Sequence, residues 1–462
     1  MILYLHNKLM VEDYTSDVLL WCERNLTFAN PDYEKKEAMG LWLGNTPKRI
    51  IMYEIAGNRL FMPFGVLPKF YKEFKDKLSL IKTCYKPLRE RKYESLINTY
   101  DYQETAIQKA INGRNGIIVA PCGSGKTQMG LEIIARIGGK ALWITHTQDL
   151  LNQSMNRAKS VYGMPTSEIG SITAGKVNIG NTITFATIQT LVNIDLRQYA
   201  TEWDVIVADE CHHLVGSPTQ VQMFYKAFSG LSARYKYGLT ATPYRADGLE
   251  GCMFSVIGDI LHEVPKSAVE DKTCEVRVDF VETFYEPDID GITAGDGTLI
   301  YSALIKDITK NEERNEGIAG LIQYTDGSML VLSDRVEHLK TLMEKVKDDK
   351  DCALIDGSMQ SKSGKEKRKA VLDKLGKGEL DVVFATYKLA KEGLDIPTLK
   401  NVLFATPVKD KTTIIQSAGR VGRKADGKEC GCVIDLVDNF GLLLGYYRKR
   451  KRYYMELGYK IL

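Results

Sequence analysis

A short motif at residues 120–127, Ala-Pro-Cys-Gly-Ser-Gly-Lys-Thr, contains residue types suited to binding phosphate. Its glycines allow backbone N–H groups to close around phosphate oxygens, Lys126 adds a positive charge, and the Thr127 hydroxyl can ligate Mg2+. A strand-like run at 116–119 precedes it and a helical pattern follows, which favours a nucleoside triphosphate site over an ordinary glycine-rich turn. Ala120 replaces the glycine that usually opens such a motif. The expected nucleotide contacts are Pro121, Cys122, Gly123, Ser124, Gly125, Lys126 and Thr127.

Two adjacent acids, Asp209 and Glu210, follow an apolar run at 203–208 that reads as a buried strand. If this strand is parallel to the one before the phosphate-binding motif, Asp209 can hold Mg2+ while Glu210 orients or deprotonates the attacking water. Two acids after a strand can also be part of a solvated loop, but their pairing with the first motif favours a hydrolase. The Cys-His-His run at 211–213 does not indicate another metal, because the remaining cysteines and histidines lack paired ligand spacing.

Residues from about 95 to 440 resemble, in type and order, the motifs of superfamily 2 helicases and translocases. The Tyr-Asp-Tyr-Gln sequence at 100–103 is similar to the family's adenine-reading element, which implies that Gln103, with Tyr102, contacts the base of ATP. The Thr-Ala-Thr-Pro sequence at 240–243 resembles the motif that links the state of ATP to the grip on nucleic acid. The coupling residues implied by this resemblance are Thr240, Thr242 and His212.

The Gln-Ser-Ala-Gly-Arg-Val-Gly-Arg sequence at 416–423 resembles the family's arginine-finger motif, with Gln416 at a family position. The resemblance implies that Arg420 and Arg423 reach the γ-phosphate, where a permanent guanidinium charge suits the spread negative charge of a phosphoryl-transfer transition state. An exposed basic turn is the alternative interpretation.

A further segment, at 384–397, resembles the motif that contacts both the nucleic-acid backbone and the nucleotide. It implies a phosphate contact for Thr386 and nucleotide contacts for Gly393 and Asp395. Other polar residues fall where predicted strands end, at positions that the family uses for the nucleic-acid backbone, although they could instead cap the following helices. The nucleic-acid candidates are Thr145, Gln148, Thr187, Gln189, Arg245 and Thr386.

Alternating apolar strands and helical stretches, such as the strands at 141–145 and 183–187, predict an α/β fold. We expect two tandem RecA-like lobes, each a doubly wound parallel sheet, and a small, separate N-terminal α/β domain. The expected limits are residues 1–90 for that domain, 91–268 for the first lobe, 269–304 for an inter-lobe connection or insertion, and 305–462 for the second lobe with a basic tail. The N-terminal domain faintly resembles DNA-recognition domains, and a packing appendage is the alternative.

The tail predicted at 446–454 has five consecutive basic residues between two tyrosine pairs, which fits either contact with nucleic acid or a salt-bridged helix end. The 462 residues carry a formal net charge of only +3, so a nucleic-acid surface must come from local patches. Nine cysteines without a paired framework fit a reducing compartment. With no secretory leader and no long apolar run, we expect a cytoplasmic protein, in the host cytoplasm if phage-encoded, without a membrane partner.

The motifs predict an ATP- and Mg2+-dependent enzyme, and the family resemblance implies a DNA helicase or duplex translocase that acts on forked DNA in replication, recombination or repair. The Asp-Glu-Cys-His form at 209–212 and the Tyr-Arg-Ala-Asp-Gly extension at 244–248 resemble DNA-acting branches of the family, which favours DNA over RNA. Three alternatives stay open: an RNA helicase, the motor subunit of a restriction or antiviral complex, and an ATP-gated nucleic-acid sensor. No nuclease motif is visible, so cleavage would require a partner chain.

Overall fold

The computed structural model of the protein describes residues 1–121, 123–216, 221–245, 247–357, 359, 362–391 and 396–462. The chain divides into two compact units, Met1–Ala268 and Val269–Leu462. Within the described residues, no helix combines the length and the apolar character that crossing a membrane requires.

The first unit begins with a small α/β module that has its own five-stranded sheet, in the order β5-β6-β2-β1-β7, and a two-stranded β3-β4 ladder. Its strands are β1 (Ile2–Leu5), β2 (Lys8–Glu12), β3 (Thr27–Ala29), β4 (Arg49–Ile51), β5 (Glu54–Ala56), β6 (Arg59–Pro63) and β7 (Leu80–Thr83). Its helices are α1 (Ser16–Asn25), α2 (Pro31–Ala38) and α3 (Leu67–Phe74).

An eight-stranded sheet follows in the same unit, in the order β11-β10-β12-β9-β13-β14-β8-β15. Its strands are β8 (Asn115–Val119), β9 (Ala141–Thr145), β10 (Ile169–Thr173), β11 (Lys176–Asn178), β12 (Ile183–Thr187), β13 (Val205–Asp209), β14 (Tyr235–Thr240) and β15 (Ile260–Glu263). Its helices are α4 (Asp101–Gly113), α5 (Lys126–Ile137), α6 (Gln148–Tyr162), α7 (Ile188–Leu191), α8 (Cys211–Leu214), α9 (Val221–Gly230) and α10 (Glu250–Ile257). All pairs are parallel except β10 with β11.

The second unit contains a seven-stranded parallel sheet in the order β18-β19-β17-β20-β21-β16-β22. Its strands are β16 (Glu275–Glu282), β17 (Met329–Ser333), β18 (Cys352–Ile355), β19 (Val382–Thr386), β20 (Asn401–Phe404), β21 (Cys430–Val437) and β22 (Lys460–Ile461). Its helices are α11 (Ile289–Ile292), α12 (Tyr301–Lys310), α13 (Glu312–Tyr324), α14 (Val336–Val346), α15 (Lys362–Lys377), α16 (Tyr387–Lys391), α17 (Lys411–Ala418) and α18 (Gly441–Glu456).

The predicted fold class, two RecA-like α/β lobes with an N-terminal α/β domain, is confirmed, and the strands predicted at 141–145 and 183–187 are β9 and β12. One expectation differs from the structure. Residues 269–304 were expected to form a connection, but β16 pairs along its full length with β21 and is part of the second sheet. Its apolar residues largely alternate with charged ones, so it lacks the continuous apolar run by which the other buried strands were identified.

The N-terminal module shares a continuous hydrophobic core with the first lobe instead of forming a separate body. At the closest approach, Gly65 lies against α10, where an added Cβ would be 2.5 Å from the backbone nitrogen of Gly258. The side-chain amide of Asn7, also in the module, donates to the Ser229 carbonyl of the lobe. The module and the lobe are thus packed backbone to backbone at this point, which only glycine permits.

The basic tail is part of α18, and its charges divide into two groups. Arg450 is buried and its Nη2 atom lies 2.7 Å from Asp435 Oδ1, while Tyr454 donates to the same carboxylate over 2.8 Å. This part of the tail is a salt-bridged brace, one of the two interpretations of the sequence. The exposed basic residues, which keep the nucleic-acid interpretation open, are Arg448, Lys449, Lys451 and Arg452.

A buried lysine, Lys236, lies where the N-terminal module meets the first lobe. Its side chain is almost completely inaccessible, and its Nζ atom donates to the carbonyls of Phe228, over 3.2 Å, and Asn7, over 3.4 Å. Because burial penalises the charged form, the pKa of Lys236 falls from 10.5 to about 7.

We predict that Lys236 makes folding more favourable as the pH rises from 7 to 9. The unfolded chain keeps the lysine protonated in this range and the folded chain does not, so the free energy of unfolding rises by up to about 1.4 kcal/mol per pH unit. Thermal unfolding midpoints of the wild type and Lys236→Met at both pH values measure this effect. The wild type should gain stability relative to the variant, with the exposed Lys226→Met as control; a constant difference between wild type and Lys236→Met would contradict the prediction.

Candidate functional site

The phosphate-binding motif forms a tight loop between β8 and α5. Gly123 and Gly125 have φ angles of +82° and +79°, which strongly favour glycine, and a Cβ on Gly125 would lie 2.5 Å from Gln103 Nε2. The amide of Ala120 donates to the Thr240 carbonyl over 2.9 Å, which ties the start of the loop to β14. Helix α5 begins directly after the loop, at Lys126, so its N-terminus is available to an anion.

The loop and the acidic pair meet, as the sequence predicted. Lys126 Nζ lies 3.6 Å from Glu210 Oε1, and both side chains are largely buried. The same Nζ donates to the Ala120 carbonyl over 3.4 Å. Ser124 Oγ and Glu210 Oε2 are buried without a hydrogen-bond partner in the described part of the chain. A triphosphate and its attacking water would supply such partners, so the residues present fit a nucleotide.

Asp209 lies at the end of β13 and is almost fully buried. Its carboxylate accepts from the amide of Glu210 over 3.1 Å and from Ser154 Oγ over 3.5 Å. Burial, together with the neighbouring charge on Glu210, raises the pKa of Asp209 above its usual range. Burial, the largest single influence, would also raise the pKa of Glu210, but Lys126 and the neighbouring histidines together outweigh it, so the pKa of Glu210 lies below its ordinary value. Two adjacent carboxyls in this setting favour a bound divalent cation.

The donor set fits Mg2+. This ion is held by few protein oxygens and several from phosphate and water, and here the candidate ligands are the Thr127 hydroxyl and the Asp209 carboxylate. The described residues contain no group of three or more His, Cys, Asp or Glu side chains placed to hold a metal. When bound, Mg2+ neutralises charge on the phosphates and polarises them.

Glu210 has an unusual backbone conformation, with φ of +46° for a non-glycine residue. It precedes α8, and its side chain is directed towards Lys126 and His212, whose Nδ1 atom lies 3.6 Å from Glu210 Oε2. Strain of this kind occurs where the surrounding structure fixes a functional group. The conformation supports the expectation that Glu210 positions the attacking water.

Gln103 is buried under the phosphate-binding loop. Its Nε2 atom donates to the Ser124 carbonyl over 2.8 Å, and its Oε1 atom accepts from the Tyr100 amide over 3.1 Å. The hydroxyl of Tyr102 donates to the same Ser124 carbonyl over 3.0 Å. The amide thus holds the loop in shape. Its reading of adenine stays a prediction, since an amide has two donor hydrogens and two acceptor lone pairs and only one of each is used.

The predicted coupling residues are hydrogen-bonded to one another. His212 Nδ1 lies 2.7 Å from Thr240 Oγ1, and this hydroxyl accepts from the Thr242 amide over 3.1 Å. A movement at the end of β14 therefore acts directly on the helix that begins after Glu210.

Arg245, a predicted nucleic-acid contact, has several hydrogen-bond partners within the first lobe. Its guanidinium donates to both carboxylate oxygens of Asp247, over 2.9 and 2.6 Å, and to the carbonyls of His212 and Gly216. The side chain braces the segment that carries Glu210, and its contact with nucleic acid stays a prediction without support from these contacts.

The nucleic-acid candidates of the first lobe have local partners. Thr145 is fully buried and donates to the Thr147 carbonyl over 3.0 Å, and Thr187, also buried, lies 2.9 Å from Thr190 Oγ1. These contacts agree with the alternative of a local structural role. Gln148 bonds Asn152 over 3.2 Å. Gln189 is exposed, and its Nε2 atom donates to the His146 carbonyl over 2.8 Å.

The remaining candidates lie in the second unit. Thr386 ends β19 beside Ser333 of β17, at the carboxyl edge of the sheet. Gln416 lies in α17, and Arg420 and Arg423 follow in a turn, where the Arg423 carbonyl accepts from Lys428 Nζ over 3.0 Å. Their roles towards phosphate stay predictions. The predicted contacts that lie outside the described residues are Cys122, Gly393 and Asp395.

Sequence reasoning missed two residues that contact the site. Ser154 bonds Asp209, and the ring of His146 packs against His213 with 4.4 Å between ring centroids. His146 directly follows β9, and a polar residue at the end of a strand could have been identified from the sequence as a candidate site residue. Ser154 had none, because its partner is 55 residues away.

Two family models match the chain. The first, described as "Type III restriction enzyme, res subunit", matches residues 96–245, and the second, described as "Helicase conserved C-terminal domain", matches residues 313–425. Together they cover more than half of the 462 residues.

Two relatives and one solved structure extend this result. A protein of Acanthamoeba polyphaga mimivirus named "Putative ATP-dependent RNA helicase L396" is 26% identical over 94% of this chain and 80% of its own length. The ATP-dependent DNA helicase uvsW of Enterobacteria phage T4 is 24% identical over 77% of this chain and 72% of its own length. The structure of S. cerevisiae Dbp5 bound to RNA and ADP BeF3 is similar in fold, with a TM-score of 0.57, 16% identity, and coverage of 79% of this chain and 90% of that one.

We predict that Gln103→Ala weakens nucleotide binding by roughly tenfold, because the loop loses the hydrogen bond from Gln103 to the Ser124 carbonyl and keeps only the one from Tyr102, and a hydrogen bond contributes about 1 kcal/mol. Equilibrium binding of ATP and GTP measures the effect, with the exposed Gln108→Ala on the same helix as control. Because the amide holds the loop, the affinities for both triphosphates should fall. A loss for ATP alone would instead assign the side chain to reading adenine, and unchanged affinities would contradict both roles.

Proposed function

We propose, from the premise that this chain belongs to the superfamily 2 helicases and is a nucleic-acid-dependent ATPase, that it couples ATP hydrolysis to unwinding or branch migration of forked DNA. The observation that carries this proposal is the 3.6 Å contact between Lys126 Nζ and Glu210 Oε1, beside a hydrogen bond between His212 and Thr240. Hydrolysis and its coupling to another ligand thus depend on one connected group of side chains.

In the proposed cycle, the loop amides and Lys126 bind the β- and γ-phosphates, and Thr127 and Asp209 hold Mg2+. Phosphate then replaces Glu210 as the partner of Lys126, which leaves the Glu210 carboxylate to orient and deprotonate water. We further propose that Arg420 and Arg423 stabilise the transition state, and that Gln416, Gly393 and Asp395 assist at the nucleotide.

Three considerations support DNA as the partner. The residues at 209–212 and 244–248 resemble DNA-acting branches, the phage T4 relative is named a DNA helicase, and the N-terminal module is a candidate for reading branches. We propose Gln148, Gln189 and Thr386 as backbone contacts, and action in replication, recombination or repair in the cytoplasm, of the host if the chain is phage-encoded.

Two other functions have specific support. The mimivirus relative is named an RNA helicase, which favours RNA as the partner. The first family model is described as a subunit of a type III restriction enzyme, which favours a motor that acts with a separate nuclease.

We predict that Glu210→Gln reduces ATP hydrolysis by roughly 100- to 10,000-fold while ATP still binds, because the variant loses the base but keeps the size of the side chain. Single-turnover phosphate release and equilibrium ATP binding separate the two effects. The matched control is Asp195→Asn, an exposed acid-to-amide change in the same unit, which should hydrolyse ATP at the wild-type rate. Hydrolysis near that rate in Glu210→Gln would remove Glu210 from the mechanism.

We predict ATP-dependent dissociation of a synthetic four-way DNA junction, with a linear DNA duplex and a matched RNA duplex left intact. Gel separation of the labelled strands measures this, and Lys126→Ala, which lacks the phosphate-binding charge, should be inactive. Activity on RNA alone would favour an RNA helicase. Hydrolysis without strand separation would favour a switch or a motor that needs a partner, and a nuclease that co-purifies would favour a restriction complex.

A further inference from the structure

Three histidine rings lie in series beside the catalytic acids. The ring centroids of His146 and His213 are 4.4 Å apart, and those of His213 and His212 are 3.9 Å apart. His146 follows β9, whereas the other two lie in α8, directly after β13 and Glu210. Strands β9 and β13 are neighbours in the sheet, so their carboxyl ends bring the rings together.

One end of this series contacts the hydrolytic site. His212 Nδ1 lies 2.7 Å from Thr240 Oγ1 and 3.6 Å from Glu210 Oε2. Because His212 is almost fully buried, a shift of its ring changes the surroundings of the Glu210 carboxylate.

The other end contacts a candidate nucleic-acid residue. The exposed Gln189 donates through Nε2 to the His146 carbonyl over 2.8 Å. If Gln189 turns to contact a nucleic-acid backbone, this bond changes, and the His146 backbone changes with it.

Ring contacts connect the three histidines. His146 Nδ1 and His212 Nε2 are buried without a hydrogen-bond partner in the described structure. Burial, followed by the charge of His213, lowers the pKa of His146 to about 3, and burial lowers the pKa of His212 to about 4. Both rings are therefore neutral at pH 7 and can pack without repulsion.

We propose that His146 and His213 are positioning residues that transmit nucleic-acid contact at Gln189 to Glu210 through the ring of His212. The proposal deepens the proposed function and rests on it, because it requires that nucleotide and nucleic acid affect each other's binding. The coupling is carried by contacts between rings, so another planar ring at position 146 should preserve it, and a methyl group should not.

The test measures the affinity for a DNA fork with and without a non-hydrolysable ATP analogue. The ratio of the two dissociation constants is the coupling factor, which is typically about 5 to 150 in coupled systems. In His146→Ala the factor should fall towards 1, while the affinity without nucleotide stays within about twofold of wild type. His146→Phe should restore most of the coupling factor. If His146 had a purely structural role, the affinity for DNA without nucleotide and the coupling factor would not change separately.

A double-mutant cycle with His213→Ala tests the series itself. If the two rings act through each other, the double variant should lose no more coupling than either single variant. Wild-type coupling in His146→Ala, or independent losses that add in the double variant, would overturn the proposal. A wild type whose DNA affinity does not respond to the analogue would instead overturn the proposed function, with the histidine proposal falling as its consequence. Thermal melting confirms that each variant is folded, and His146→Phe provides the comparison if His146→Ala is not.

Discussion

The candidate site depends on the register of three neighbouring parallel strands. Strand β14 pairs with β8, so that Thr240 lies beside Val119, and with β13, so that Leu239 lies beside Asp209. The residues that follow these positions are the phosphate-binding loop, the Thr-Ala-Thr-Pro segment and Glu210. Since parallel strands present their carboxyl ends at one edge of the sheet, this register alone brings phosphate binding, coupling and water activation within contact.

Burial then sets the strength of the interactions between these charged groups and the pKa values of the two acids. Asp209, Glu210 and Lys126 are largely withdrawn from water, where charges interact more strongly than at the surface. The lysine lowers the pKa of one carboxyl, while burial and the like charge raise that of the other. A divalent cation beside the two carboxyls would oppose the effects of burial and like charge, because its positive charge favours the ionised form of each acid. Buried hydrogen bonds from Gln103 to the loop and between His212 and Thr240 help to fix the geometry, because breaking a buried hydrogen bond is costly.

The need of buried polar and charged groups for partners also explains the contacts of two arginines. Arg245 was predicted to contact nucleic acid, and Arg450 lies in a tail predicted either to do so or to form a salt-bridged helix end; each has carboxylate and carbonyl partners for its guanidinium. A buried arginine needs such a partner, and an exposed one does not. The partner of Arg450, Asp435, lies on another element of the fold, so a local pattern of charges cannot distinguish the buried residue from its exposed neighbours in α18.

The sequence by itself determined the fold class, the strands β9 and β12, the phosphate-binding loop and the order of the motifs, because each depends on residues close together in the chain. The two loop glycines, at positions 123 and 125, and the two acids that follow a strand can be recognised from the few residues around them. Only the tertiary structure decided that β16 belongs to the second sheet, that the N-terminal module shares the core of the first lobe, and that Gln103 holds the loop. It also decided that His146 contacts His213. These features depend on strand pairing, burial and contacts between distant residues, which local spacing does not encode.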